Sequence, residues 1–238
     1  MKKASFSALL YREYAVCTKT LGICAITSLI FTLFPILIAL SLRFGNLAML
    51  PASIIGEIRV HNDIMLKLYA VICPCMLSLS VSETSVNDTM SKWDHFRRST
   101  PVSPARMALA KYVFLAIMVA VSLICAIAAL AAFSVCMDTS ISRSDMGLIL
   151  LSITIILIMS ILAQLFIMLL RSVDKGMLAM IAALAVPIFL MQKQLPSISI
   201  EGVLSFAADY LSLFPVIIGM TMVMGFCLTT LLYKRRGD

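Results

Sequence analysis

Six stretches of this chain run for 15 to 26 residues without one Asp, Glu, Lys or Arg: Thr20–Leu42, Leu68–Ser82, Tyr112–Met137, Met146–Leu170, Gly176–Gln192 and Tyr210–Tyr233. A helix needs about 20 mostly apolar residues to cross the hydrocarbon of a bilayer. Only helices and closed barrels satisfy their backbone there. The six runs fill over half of the 238 residues, and the chain is 61% hydrophobic and 13% charged. Soluble domains average about 45–50% apolar and about 25% charged. A soluble enzyme, a disordered chain and a secreted disulfide scaffold are therefore excluded. The pattern predicts an all-α membrane protein of six transmembrane helices in a single domain, 1–238, with spans near 20–42, 64–82, 104–137, 146–170, 176–192 and 210–233. The second run is short, and reaches back to Ile64 if Lys67 snorkels. The fifth is short too and contains Pro187, which favours a break. The first run reads as a retained span. It is too long for a leader's apolar core, and a 19-residue lead precedes it.

The formal charge of +7 (19 Lys and Arg against 12 Asp and Glu) is not evenly placed. The N-terminal lead, the second and fourth loops and the C-terminus carry 14 of the cations, the opposite side 5, while the acids divide 6 and 6. The excess of Lys and Arg marks the cytoplasmic side. Both termini are predicted inside. The basic excess thus orients the chain among membrane lipids, and nucleic acid is not an expected partner.

Catalytic signatures are missing from the sequence. No G-x-x-x-x-G-K-[ST] loop for ATP and no H-E-x-x-H zinc motif occurs, nor a G-x-S-x-G elbow. His61 and His95 fall on opposite sides of the membrane, and the seven cysteines form no loop cluster. No catalytic, cofactor-binding or metal residue is assigned, and the chain is not read as an enzyme. Ion-coupled carriers usually need an ionisable group at membrane depth, and the six runs hold none. Ser160 and Gln164 are the notable polar residues of the fourth span. Helix–helix hydrogen bonding is the plainer role for them, and contact with a transported molecule the sharper one. Pro35, Pro74, Pro187 and Pro215 each fall in a span and kink it, which suits a protein that changes shape.

Residues 3–19 read as an interfacial helix that turns into the first span. Phe6, Leu9, Leu10, Tyr14 and Cys17 share one face, with Arg12, Ala15 and Lys19 opposite. Glu13 lies at the apolar face, where a carboxylate is costly unless paired. It either snorkels or meets a basic residue of the second loop. In that loop Asn87 or Asp88 caps a short helix over 88–100. Pro101 ends it, and Ser103 with Pro104 starts the third span as N-cap and first helical residue. Met90, Trp93 and Phe96–Arg97 share a face of the short helix. An exposed Trp with Met and Arg fits a partner interface, and a Trp at the membrane interface fits as well.

The run Lys92-Trp93-Asp94-His95-Phe96-Arg97-Arg98-Ser99-Thr100-Pro101-Val102-Ser103-Pro104-Ala105-Arg106, continuing to Lys111-Tyr112, resembles the corresponding loop of ABC-2 type transporter permeases. Arg12-Glu13 resembles the basic–acidic pair of that family's N-terminal helix. The layout is most similar to small bacterial permeases that export phenol-soluble modulins and lantibiotics. The resemblance implies a homodimer or heterodimer of permeases in the bacterial cytoplasmic membrane, with two ABC ATPase subunits per transporter that carry the ATP and Mg. It implies that 88–100 is a coupling helix docking in the ATPase, through Met90, Lys92, Trp93, Phe96, Arg97 and Arg98. It also implies short external helices within Leu195–Tyr210. The expected function is an ATP-driven exporter of amphipathic peptide, lipid-like or drug-like cargo. A non-transport immunity or sensor protein, and an ion-coupled secondary transporter, are the alternatives.

Overall fold

Helix boundaries follow local chemistry at most ends. The computed structural model describes residues 5–91, 102–194 and 200–235; for 48, 66–82, 186–194, 200, 201, 203 and 204 only the backbone is described. Ser5 starts helix α1 (Phe6–Phe44) by accepting a hydrogen bond from the Ala8 amide at 3.2 Å. Gly45 ends it, and a 3-10 turn (Asn46–Met49) leads to α2 (Ala52–Met90). Helix α3 (Pro104–Met137) begins where the Ser-Pro pair points. Ser103 Oγ accepts from the Arg106 amide, and Pro104 occupies the first turn, where its missing N–H costs nothing. A capping box, Ser142 with Asp145, opens α4 (Arg143–Leu170). Helices α5 (Val173–Gln194), α6 (Ile200–Asp209) and α7 (Phe214–Arg235) follow, with a 3-10 turn at Leu211–Leu213.

Two sequence expectations are corrected. The interfacial helix 3–19 does not turn into a separate span, because α1 is one helix of 39 residues. Residues 6–21 contain neither Gly nor Pro to break it. Arg12 and Glu13 of that lead are engaged by α2 and α3, as described below. Most of the stretch between the first two expected spans is helix. After a short link α2 begins at Ala52 and continues past 82, through 39 residues in all. Asp88 and Met90 therefore belong to the last turns of α2 and not to a separate helix 88–100. The rest of that expected helix, with Lys92, Trp93, Phe96, Arg97 and Arg98, lies outside the described residues. At Leu195–Tyr210 the expected short helix appears as α6.

Four of the described helices are long and apolar enough to cross a membrane: α1, α3, α4 and the segment Leu211–Arg235. The second and fifth expected spans fall within α2 and α5. At about 1.5 Å per residue, α1 and α2 are each close to 60 Å long, about twice the hydrocarbon thickness. They run antiparallel, since Arg12 near the start of α1 meets Asp88 near the end of α2, and Pro35 further along α1 meets Asn62. Helix α4 is central: half of its most apolar stretch (50%) is buried, against 11% for α1 and for α7. Its Ile149 and Ile153 join Ala39 and Leu42 of α1 and Ala126, Ala129, Leu130 and Phe133 of α3 in one apolar cluster. Leu157 and Ile161 join Cys17, Tyr112, Phe114 and Leu115 in a second, nearer the start of α1.

A buried charge cluster as candidate functional site

Three helices converge where α1 begins, α2 ends and α3 begins. Each brings charged side chains from a turn next to an apolar run. Lys111 is the last cation before the longest uncharged run, and its side chain is only 2% exposed. An ammonium has three donors and no acceptor; here two of them make hydrogen bonds, and a second carboxylate stands within ion-pair distance. Nζ donates to Thr84 Oγ1 at 3.0 Å and to Asp88 Oδ2 at 2.7 Å, and lies 3.5 Å from Glu13 Oε2. Thr84 and Asp88 are four residues apart and so share a face of α2. Arg12 completes the group. One guanidinium nitrogen donates to Glu13 Oε1 at 2.7 Å and another to Asp88 Oδ1.

The cluster therefore holds two cations and two carboxylates, and its formal charges cancel. Burial alone would push the Asp88 carboxyl up. The charges of Lys111 and Arg12, and the hydrogen bonds they donate, outweigh burial and hold it below the usual carboxylate range. Asp88 is thus ionised at neutral pH. The floor of the cluster is apolar. Tyr112, next to Lys111, stacks edge-on against Phe226 and shares a 3.2 Å hydrogen bond with Thr229 of α7. Gly225 makes room for this contact, since a Cβ there would sit 2.5 Å from Tyr112 Oη and 2.9 Å from Ile161 Cγ2.

Arg12 and Glu13 are brought into this site, together with Lys111, one of the loop cations that Glu13 was expected to meet. Met90 is 72% exposed at the end of α2, one turn or less from the cluster. Ser160 and Gln164 are buried on α4 at 1% and 2% exposure, and Gln164 Nε2 has no hydrogen-bond partner among the described residues. Sequence reading did not single out Asp88, Thr84 or Lys111 as partners. The available signal was the Thr84/Asp88 spacing on one helical face, set against the lone carboxylate on the apolar face of α1.

Among the described residues no group of three or more His, Cys, Asp and Glu forms a metal-holding set. A family model described as ABC-2 family transporter protein matches residues 46–233. The match includes Asp88 and Lys111 and leaves out α1. No curated protein matches the chain, and no solved structure does.

Proposed function

This chain belongs to the ABC-2 family of transporter proteins, and from that premise we propose that it is the permease of an ATP-driven exporter whose ATPase is a separate subunit. In this reading residues 92–101 between α2 and α3 dock on the ATPase, with Trp93 and Arg97 at the centre and Met90, Lys92, Phe96 and Arg98 around them. Two permease chains and two ATPase subunits form the transporter, and ATP and Mg belong to the ATPase. Helices α2 and α5 join the four other long helices as the second and fifth spans. The charge asymmetry puts both termini and the docking segment in the cytoplasm of a bacterial cell. The cargo is amphipathic: a peptide, a lipid-like molecule or a drug-like one.

The observation that carries this reading is the charge cluster. It clamps α2 to α3 within four residues of where α2 hands over to the docking segment. It also clamps both to α1. A push on 92–101 is therefore delivered to three long helices as a unit and is not absorbed by a flexible neck. The same geometry disfavours ion coupling. The buried charges cancel one another, and Asp88 is held ionised by Lys111 and Arg12.

Affinity purification of the tagged permease from its own host tests the docking. A P-loop ATPase is expected to copurify with the native chain and to be lost with Trp93→Ala/Arg97→Ala while the permease level stays the same. An ATPase retained by that double variant sinks the docking role, and the absence of any P-loop protein in the native preparation sinks the exporter reading.

A further inference from the structure

Toward the other end of α1 and α2 lies a groove of about 320 Å³. Phe34 and Ile38 of α1 line it together with Glu57, His61, Asn62 and Met65 of α2. Phe34 and Met65 are 56% and 42% exposed, so the groove opens away from the protein interior. Asn62 is only 4% exposed. Its Nδ2 donates to the Pro35 carbonyl oxygen at 3.0 Å. A carbonyl accepts only, so this bond fixes which end of the amide is the NH2. The other end, Oδ1, is buried and has no hydrogen-bond partner among the described residues. An orphaned buried acceptor is rare in a folded protein and calls for a donor. Glu57 is exposed and, among the described residues, pairs with no cation. His61 Nδ1 lies 2.9 Å from the Glu57 main-chain oxygen, which holds the ring against its own helix.

The groove thus combines apolar surface with an unused acceptor and a carboxylate that no cation among the described residues pairs. We propose that this groove is a binding site for a cationic amphiphile, a molecule with an apolar chain and a protonated amine. The chain lies against Phe34, Ile38 and Met65. The ammonium donates to Asn62 Oδ1, and Glu57 balances its charge. The site deepens the exporter reading by naming its cargo class, and rests on that reading for its role in transport, though not for binding. An anionic lipid or fatty acid is excluded by the same residues, since Glu57 repels it and it brings no donor for Asn62.

Binding is measured on the full-length permease in phosphatidylcholine nanodiscs at pH 7, with empty discs subtracted. The probes are dodecylamine, dodecyltrimethylammonium and dodecanoate. Dodecylamine is expected to saturate one site per chain. The quaternary analogue has the charge without an N–H and should bind about tenfold more weakly, a typical loss for one charge-assisted hydrogen bond. Dodecanoate should show no saturable binding. Asn62 also braces α1, so the variants are placed on exposed neighbours. Glu57→Gln should weaken dodecylamine about tenfold, and Met65→Trp, which fills the groove, should abolish saturation, both with unchanged thermal unfolding. No saturable site in the native chain, undiminished binding in either variant, or equal binding of dodecanoate overturns the proposal. Because no ATPase is present, these outcomes are independent of whether the docking experiment succeeds.

Discussion

A lysine 2% exposed beside a 26-residue uncharged run is stable only because of what surrounds its three N–H bonds. Removing one partner of a buried ion pair costs about 3–5 kcal/mol, largely because the remaining charge is stranded, whereas replacing a pair by apolar groups of similar volume is often near neutral. Lys111→Met leaves Asp88 and Glu13 with Arg12 alone. It should lower unfolding stability by about 3 kcal/mol. Lys111→Met/Asp88→Leu removes a cation and a carboxylate together and leaves the Arg12–Glu13 pair in place. The double variant should recover at least half of that loss in thermal unfolding of the purified protein. If instead the two single losses add, the residues do not act as a pair. Copurification with the ATPase separates folding from coupling, since the stable double variant should still bind it. Glu13 was legible from sequence as a carboxylate needing a partner. Asp88 was not, because a short acidic residue in a polar loop fits a helix cap equally well, and its true partners lie 23 and 76 residues away.

At the level of elements, what the sequence showed depended on how local the cause was. Ser103 with Pro104, and Ser142 with Asp145, start α3 and α4 through contacts three residues long, and the first of these was readable in advance. The continuity of α1 was not. Its first turns have the periodicity of a surface helix, and whether such a helix lies flat or stands upright is decided by contacts from α2 and α3. Close approach between elements is equally hidden until they are placed. Gly147, buried on α4, faces Ala207 of α6, which is 0% exposed; a Cβ at 147 would meet the Ala207 carbonyl carbon and oxygen at 2.7 Å. Backbone atoms of a helix cannot step aside as a side-chain tip can. Gly147→Ala should therefore cost about 1–3 kcal/mol, as overpacking typically does, despite the gain in helix propensity from Gly to Ala. Gly219→Ala on α7 has nothing within 4 Å of its Cβ. It should be neutral or stabilising in the same unfolding assay. A Gly147→Ala chain as stable as native would mean that α6 is not packed on α4.

For the whole molecule, the distribution of burial and of charge give two views of one arrangement. Helix α4 is wrapped by neighbours, while α1 leaves Ile23, Ile26, Leu29, Ile30 and Leu37 about 58–62% exposed along its length. A soluble protein does not display such a row; lipid or a second copy of the chain must cover it. The row covers about 21 Å at 1.5 Å per residue and lies within the uncharged run Thr20–Leu42, whose 23 residues, about 35 Å of helix, are enough to cross the hydrocarbon. The charge cluster then lies outside that slab at one end, and the link between α1 and α2 outside it at the other. In the proposed orientation the end with the charge cluster faces the cytoplasm, as the 14 to 5 bias in Lys and Arg predicts. Tyr11 and Met49 are exposed at 70% and 88% and lie at the two ends. In a variant with its native cysteines replaced, Met49→Cys should react with a membrane-impermeant maleimide added to intact cells. Tyr11→Cys should react only after the cells are opened. The reverse pattern would put the charge cluster and the docking segment outside, where no ATP-driven partner could reach them. Labelling of both positions in intact cells would mean that α1 does not cross the bilayer, despite its length and apolar row.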